Sequence, residues 1–199
     1  MKKQLESNPF CHSEHTTHRP IRIAVFASGN GSNFQAIATQ FKTAVALVFS
    51  DHHDAYVLKR AAHLGIKSVS IELKDCQNKE DYERKIVTLC EENEVSLIVL
   101  AGYMKIISKT LLDAYKGRII NIHPSYLPDF AGSPHAIEES HAKQHGCGVT
   151  VHFVDEGVDT GEIIAQERLA YLPDLCAYEK SVHDLEHRLY PEVIGRFLK

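Results

Sequence analysis

The sequence predicts an α/β fold: one domain carrying a mostly parallel, twisted sheet with helices on both faces and an antiparallel addition toward its carboxyl-terminal end. Three observations predict it. Short apolar runs rich in Val, Ile and Leu alternate with amphipathic runs of helical period, as strands joined by crossover helices do. The most apolar run, "VSLIVLAGY" (residues 95–103), lacks a polar alternation and reads as a strand covered on both faces. Beyond residue 147 the alternation stops, and two strand-like runs follow each other around an acidic, glycine-bearing turn.

Taken in order, residues 1–19 are polar and histidine-rich without apolar periodicity, and read as a disordered tail ahead of a domain spanning 20–199. "IRIAVFA" (21–27) is the first strand and "SNFQAIATQFK" (32–42) the first helix. "TAVALVFS" (43–50) is a second strand, followed by a helix that Gly65 stops and a short strand, "KSVSIEL" (67–73). Residues 78–94 place Tyr82, Ile86, Leu89 and Cys90 on one helical face. After the apolar strand come a short helix near "SKTLLDAY" (108–115) and the strand "GRIINIH" (117–123). Residues 148–171 supply the two antiparallel strands, and 177–198 a long final helix in which Pro191 is expected to introduce a kink. No repeat, low-complexity tract or linker divides the chain.

Composition narrows the function. With 44% hydrophobic and 24% charged residues in 199, the chain is an ordinary globular one, and a net charge of −4 without basic runs argues against nucleic-acid binding. No apolar stretch reaches membrane-spanning length and "QLESNPFCHSEH" supplies no signal-peptide core, so a cytoplasmic protein is expected. Cys11, Cys76, Cys90, Cys147 and Cys176 form no C-x-x-C pair, which disfavours disulfides and thiolate zinc. "CHSEHTTH" (11–18) has metal-binding residue types but no scaffold to order them, and no metal is expected.

Ligands of such a sheet bind beyond the carboxyl ends of the strands. There, "ASGNGSNFQAI" (27–37) has the build of an anion cradle. Gly29 and Gly31 permit a tight turn and close approach, and the helix opening at Ser32 and Asn33 offers free amides and a favourable dipole. A dinucleotide fingerprint would need a small residue at Phe34, and a Walker loop a Gly-Lys-Ser/Thr that is absent. The phosphate of a small mononucleotide-like substrate is the better guest; a plain strand–helix turn capped by Ser32 is the other reading.

"NIHPSYLPDFAG" (121–132) is where chemistry is expected. Asn121 and His123, two apart at a strand end, share a face, and a carboxamide beside an imidazole suits a reaction that builds negative charge on a carbonyl oxygen. "VDEGVDTG" offers Asp155, Glu156 and Asp159. One of these carboxylates, reaching His123, would orient it and favour its protonated form. "AGYMKII" (101–107) has the apolar residues for a flat ring or for the core, and His183, Glu186 and His187 recur at helical spacing near the end of the chain.

In this order, "ASGNGSNFQAI", "LAGYMKII", "IINIHPSYLPDFAG", "GVTVHFVDEGVDTGEIIAQ" and "LEHRLYP" resemble the phosphoribosylglycinamide formyltransferase family of folate-dependent enzymes, over about residues 21–198. The resemblance implies a Rossmann-like formyltransferase fold. It also implies transfer of the formyl group of 10-formyltetrahydrofolate to the amine of phosphoribosylglycinamide in purine synthesis. Gly31, Ser32 and Asn33 match the loop holding the acceptor's phosphate, and Glu186, with His183 nearby, the residue holding its ribose and glycinamide end. Lys79, Met104, Lys105, Ile106 and Ile107, with Asn121 and the stretch Asp155, Glu156, Gly157, Val158 and Asp159, match the folate-binding positions. Asn121, His123 and Asp159 match the catalytic trio, with Thr150 at a supporting position. Lys79 and Lys105 stand where arginines are common, and Tyr126 where leucine is usual. The partners implied are small molecules only, with neither nucleic acid nor membrane, and a monomer or homodimer. A relative acting on methionyl-tRNA, a sugar nucleotide or water is the rival enzyme. A non-catalytic nucleotide sensor is the rival from another class.

Overall fold

The computed structural model describes residues 20–199; the expectation that residues 1–19 form a disordered tail without a metal site lies outside them. Seven strands form one sheet: β1 (Ile23–Phe26), β2 (Val45–Ser50), β3 (Ser68–Ser70), β4 (Leu97–Leu100), β5 (Ile119–His123), β6 (Gly148–Phe153) and β7 (Ile163–Arg168). Their order is β3-β2-β1-β4-β5-β6-β7, and the first five run parallel. β6 and β7 reverse direction, so the antiparallel addition read from the sequence sits on the β5 side.

Six helices cover the two faces: α1 (Ser32–Phe41), α2 (Tyr56–Leu64), α3 (Lys79–Glu92), α4 (Lys109–Ala114), α5 (Ala136–Lys143) and α6 (Leu175–Phe197). The period-2 alternation of β1 divides the core. Ile23 and Val25 pack with Phe34 and Ile37 of α1, Val57 of α2 and Tyr178, Val182 and Tyr190 of α6. Ala24 and Phe26 face the other way, against Tyr82, Ile86 and Cys90 of α3 and Leu111 of α4. Parallel strands buried on both faces lose any polar alternation, which is why 97–100 read as one apolar run.

Local chemistry sets the helix ends. Asn78 accepts the Asp81 N–H at 2.9 Å, while the Asp81 carboxylate accepts the Gln77 N–H, and together they start α3. α4 is started from outside: the buried Glu83 carboxylate of α3 takes the N–H and hydroxyl of Ser108 and the N–H of Leu111. Asp174 caps α6 through the Ala177 N–H at 2.8 Å. α6 then continues as one helix past Pro191, which has no N–H to give to the carbonyl one turn back. Beside it the fully buried Tyr190 hydroxyl donates to the carbonyls of Leu100 and Ile120, 2.8 and 3.1 Å away, tying the end of β4 and the start of β5 to α6.

The chain order reverses at β1, whose neighbours are β2 and β4, so the loops after β1 and β4 diverge and open a crevice. They stay linked at its floor, where Ser28 N–H reaches the Gly102 carbonyl and Ser28 Oγ accepts the Met104 N–H.

Candidate active site

The crevice holds a cavity of about 650 Å³ lined by the turns after β1 and β4, the end of β5, the β6–β7 connection and α6. The loop after β2, residues 50–54, stays out of the lining. Its Asp51 is buried and lies 3.7 Å from the ammonium of Lys105.

At one end lies the glycine turn. Gly31 adopts φ +75°, and a Cβ there would sit 2.5 Å from Val57 Cγ2, so glycine is required twice over. α1 has neither a side-chain cap nor an acid in its first turn, and its leading amides are left for a ligand. Gly31, Ser32 and Asn33 all line the cavity, as do His183 and Glu186 of α6. His183 Nδ1 lies 2.8 Å from the Glu186 carboxylate, which raises the imidazole's pKa and holds the buried acid in place.

The apolar strip is Met104–Ile107. Met104 and Ile106 are 63% and 64% exposed and Val158 47%, a large apolar face for a crevice wall. Lys105 and Ile107 line it as well. Lys79 does not: its ammonium donates to the Ile106 carbonyl at 2.6 Å, so it braces the strip from behind, one helical turn from Glu83. Glu156 is exposed and also outside the lining, because the β6–β7 turn folds back on Asp155, whose carboxylate takes the Gly157 N–H and the Thr160 hydroxyl. Asp155, Gly157, Val158 and Asp159 remain in the wall.

Between the two ends, Asn121, His123 and Asp159 meet. His123 Nδ1 is 3.2 Å from Asp159 Oδ2, and Asn121 Nδ2 donates to Asp159 Oδ1 at 3.2 Å. Asp159 takes a left-handed backbone, φ +55°, which Asp tolerates better than most side chains, and the Gly132 N–H fixes its carboxylate at 2.8 Å. Burial pushes that carboxyl up most strongly, but His152, His123 and the Gly132 N–H together hold it at about 2.

Both nitrogens of His123 face acceptors, Nε2 lying 3.0 Å from the Phe130 carbonyl. Only a doubly protonated ring fills both. Burial, however, outweighs the pull of Asp159, and the His123 pKa falls below its ordinary value. The carboxylate faces Nδ1 and favours the charged ring, but burial is the larger influence on it.

His152 is the residue that sequence reading passed over. It lies opposite Asn121 in the β5–β6 register, as Thr150 lies opposite His123. Its Nδ1 donates to the Phe153 carbonyl at 2.8 Å, and its Nε2 lies between Asn121 Nδ2, 3.3 Å away, and Asp159 Oδ1, 3.4 Å away. The Asn121 amide donates to Asp159 and lies beside the His152 ring, so the three side chains meet at one point. Period-2 spacing from Thr150 along "GVTVHF" was the available signal. Thr150 itself holds the loop after His123, donating to the Ser125 carbonyl at 2.7 Å and accepting from Leu127 N–H. Tyr126 stacks under the Arg168 guanidinium at 3.7 Å, outside the cavity wall.

A phosphate-ready helix start, an oriented acid–base group and an apolar wall around one crevice are the equipment of a group-transfer enzyme on an α/β scaffold. The chain belongs to the formyl transferase family, whose model matches residues 21–194. Its particular relatives are similarly specific. It is 46% identical over 184 residues to the phosphoribosylglycinamide formyltransferase of Bacillus subtilis, covering 89% of this chain and 94% of that one. It is 35% identical to the Escherichia coli enzyme of the same name over 189 residues, 89% and 87% of the two chains. The crystal structure of phosphoribosylglycinamide formyltransferase from Streptococcus pneumoniae superposes with a TM-score of 0.86 at 53% identity, over 90% of this chain and 99% of the other.

Proposed function

We propose that the protein transfers the formyl group of 10-formyltetrahydrofolate to the amine of 5-phosphoribosylglycinamide, a reaction of purine biosynthesis. One observation carries this reading. The imidazole–carboxylate–carboxamide group of His123, Asp159 and Asn121 lines the same cavity as the Gly31–Asn33 turn and the exposed side chains of Met104, Ile106 and Val158. The names of the relatives in Bacillus subtilis and Escherichia coli support it.

The apolar wall suits a flat, fused ring, and a bound folate would supply the formyl carbon together with a nitrogen leaving group. The residues of the chain do the rest. Amides of Gly31, Ser32 and Asn33 receive the acceptor's phosphate, and Glu186, steadied by His183, receives its ribose and glycinamide end. Asn121 gives an N–H to the formyl oxygen as charge builds there, exchanging one of its present partners for that oxygen. Protonated His123 shares that charge and gives its proton to the departing nitrogen as the folate C–N bond breaks, the proton released by the newly bonded amine makes up the loss, and Asp159 keeps the ring aligned. The amine is nucleophile enough that neither a metal nor a covalent enzyme intermediate is invoked.

A coupled assay with both substrates, scored for released tetrahydrofolate, tests the reading. Release that depends on the phosphoribosylglycinamide supports it. Release into water alone, or none, refutes it. His123→Ala is expected to lower turnover by about 10²–10⁴ while leaving substrate binding measurable, and a loss under about tenfold would remove His123 from its role.

A further inference from the structure

We infer that Arg60, which the chemistry above does not use, is a positioning residue for the phosphate-binding turn and acts by holding Asn30 from behind. The inference rests on the reading that this turn receives the acceptor's phosphate. Arg60 lies on α2 and donates twice to one residue: Nε to the Asn30 carbonyl and a terminal nitrogen to the Asn30 side-chain oxygen, each at 2.8 Å. A planar fork bound to a backbone and a side-chain oxygen of the same residue fixes both its position and its rotation. The Tyr56 ring, its centroid 5.1 Å from the guanidinium carbon, backs the fork.

The rest of that helix start grips the neighbouring residues. Val57 N–H donates to the Gly29 carbonyl at 3.0 Å, and the Val57 side chain fills the space beside Gly31. Gly29, Asn30 and Gly31 are thus each held by α2, from the side away from the ligand. With its carbonyl bound to Arg60, Asn30 is kept from turning an oxygen toward the anion, while the α1 amides that follow stay aimed at it.

Charge supports the same assignment. A phosphate monoester brings about −1.5 to −2 charges. Among the described residues lining the cavity the only Lys or Arg is Lys105, which belongs to the apolar strip and pairs with Asp51. The guanidinium bonded to the turn itself is that of Arg60.

The test compares wild type, Arg60→Ala and Arg60→Lys in three measurements. These are kcat and KM with phosphoribosylglycinamide, kcat and KM with the riboside lacking the phosphate, and calorimetric affinity for ribose 5-phosphate. Arg60→Ala is expected to raise KM for the phosphorylated acceptor about tenfold and weaken ribose 5-phosphate to match, with kcat within about threefold. Riboside kinetics should not change. Arg60→Lys, with one donor in place of a fork, should fall between, and it carries the test if Arg60→Ala does not fold. An unchanged KM, or equal losses on both acceptors, overturns the inference, since a merely structural brace would penalise both. A wild type that binds ribose 5-phosphate but transfers no formyl group refutes the proposed reaction and leaves the calorimetric comparison to decide on Arg60. A wild type that transfers the formyl group but does not bind ribose 5-phosphate overturns the inference about Arg60 and leaves the reaction standing.

Discussion

Asp159 Oδ2 lies 3.2 Å from His123 Nδ1, at the centre of the crevice and nearly out of reach of water. The contact opposes burial, which is the larger influence on the ring and sets its pKa below the ordinary value. Asp159→Asn removes the opposing charge and leaves the burial. The His123 midpoint, followed by NMR titration of the ring, should therefore move to still lower pH. A midpoint that stays put or rises would show that the carboxylate does not act on the ring.

The same carboxylate makes stability depend on acid. Its pKa in the folded protein is about 2, below that of an unfolded aspartate. A depressed carboxylate contributes stability that is fully present above about pH 4 and is lost as pH falls toward 2. Denaturant unfolding of wild type should weaken more steeply through that window than unfolding of Asp159→Asn. Parallel curves would remove the effect.

His152 Nε2 lies 3.3 Å from Asn121 Nδ2 and 3.4 Å from Asp159 Oδ1, and His152→Ala removes the ring that packs against both. Misaligned reacting groups lose rate more than binding, so kcat should fall by up to about 10² with KM within about threefold. A variant with full kcat would show that Asn121 needs no support from β6.

Gly31→Ala combines a positive φ with a Cβ 2.5 Å from Val57 Cγ2. Unfolding should show a loss of about 1–3 kcal/mol, and KM for a phosphorylated acceptor should rise because the turn shifts. Thermal unfolding and kinetics read the two effects separately.

Tyr190→Phe leaves the carbonyls of Leu100 and Ile120 without their donor at a fully buried place. The expected loss is about 1–3 kcal/mol by denaturant unfolding, and a near-neutral result would mean that the two carbonyls are satisfied without the hydroxyl.

Most of the fold was legible because parallel strands and amphipathic helices write opposite periodicities: 97–100 read as a buried strand, and Tyr82, Ile86 and Cys90 as the buried stripe of a helix. α5 was not legible. Only Ala136 and Ser140 of it are buried, and its anchoring is polar, Ser140 Oγ meeting Tyr178 Oη at 2.8 Å, so no apolar stripe announces it. At the site, Asn121 and His123 were readable from their spacing on one strand. The partnership with His152 depended on which residue of β6 faces Asn121, and pairing register is a long-range property that spacing does not reveal. Lys79 and Glu156 were named for the folate wall and fall outside its lining. A turn's curvature and a lysine's choice between ligand and backbone carbonyl are decided in three dimensions.

The antiparallel pairing of β5 with β6 sets Asn121 across from His152 and His123 across from Thr150. Deleting one residue from β6 would bring valine or phenylalanine opposite these polar groups, since successive side chains leave a strand on opposite sides. Deleting two would restore the facing but advance every partner by a step. Length variation among descendants of this chain is thus steered away from this ladder and into the turn at either end, where an insertion changes the crevice rim without scrambling its floor.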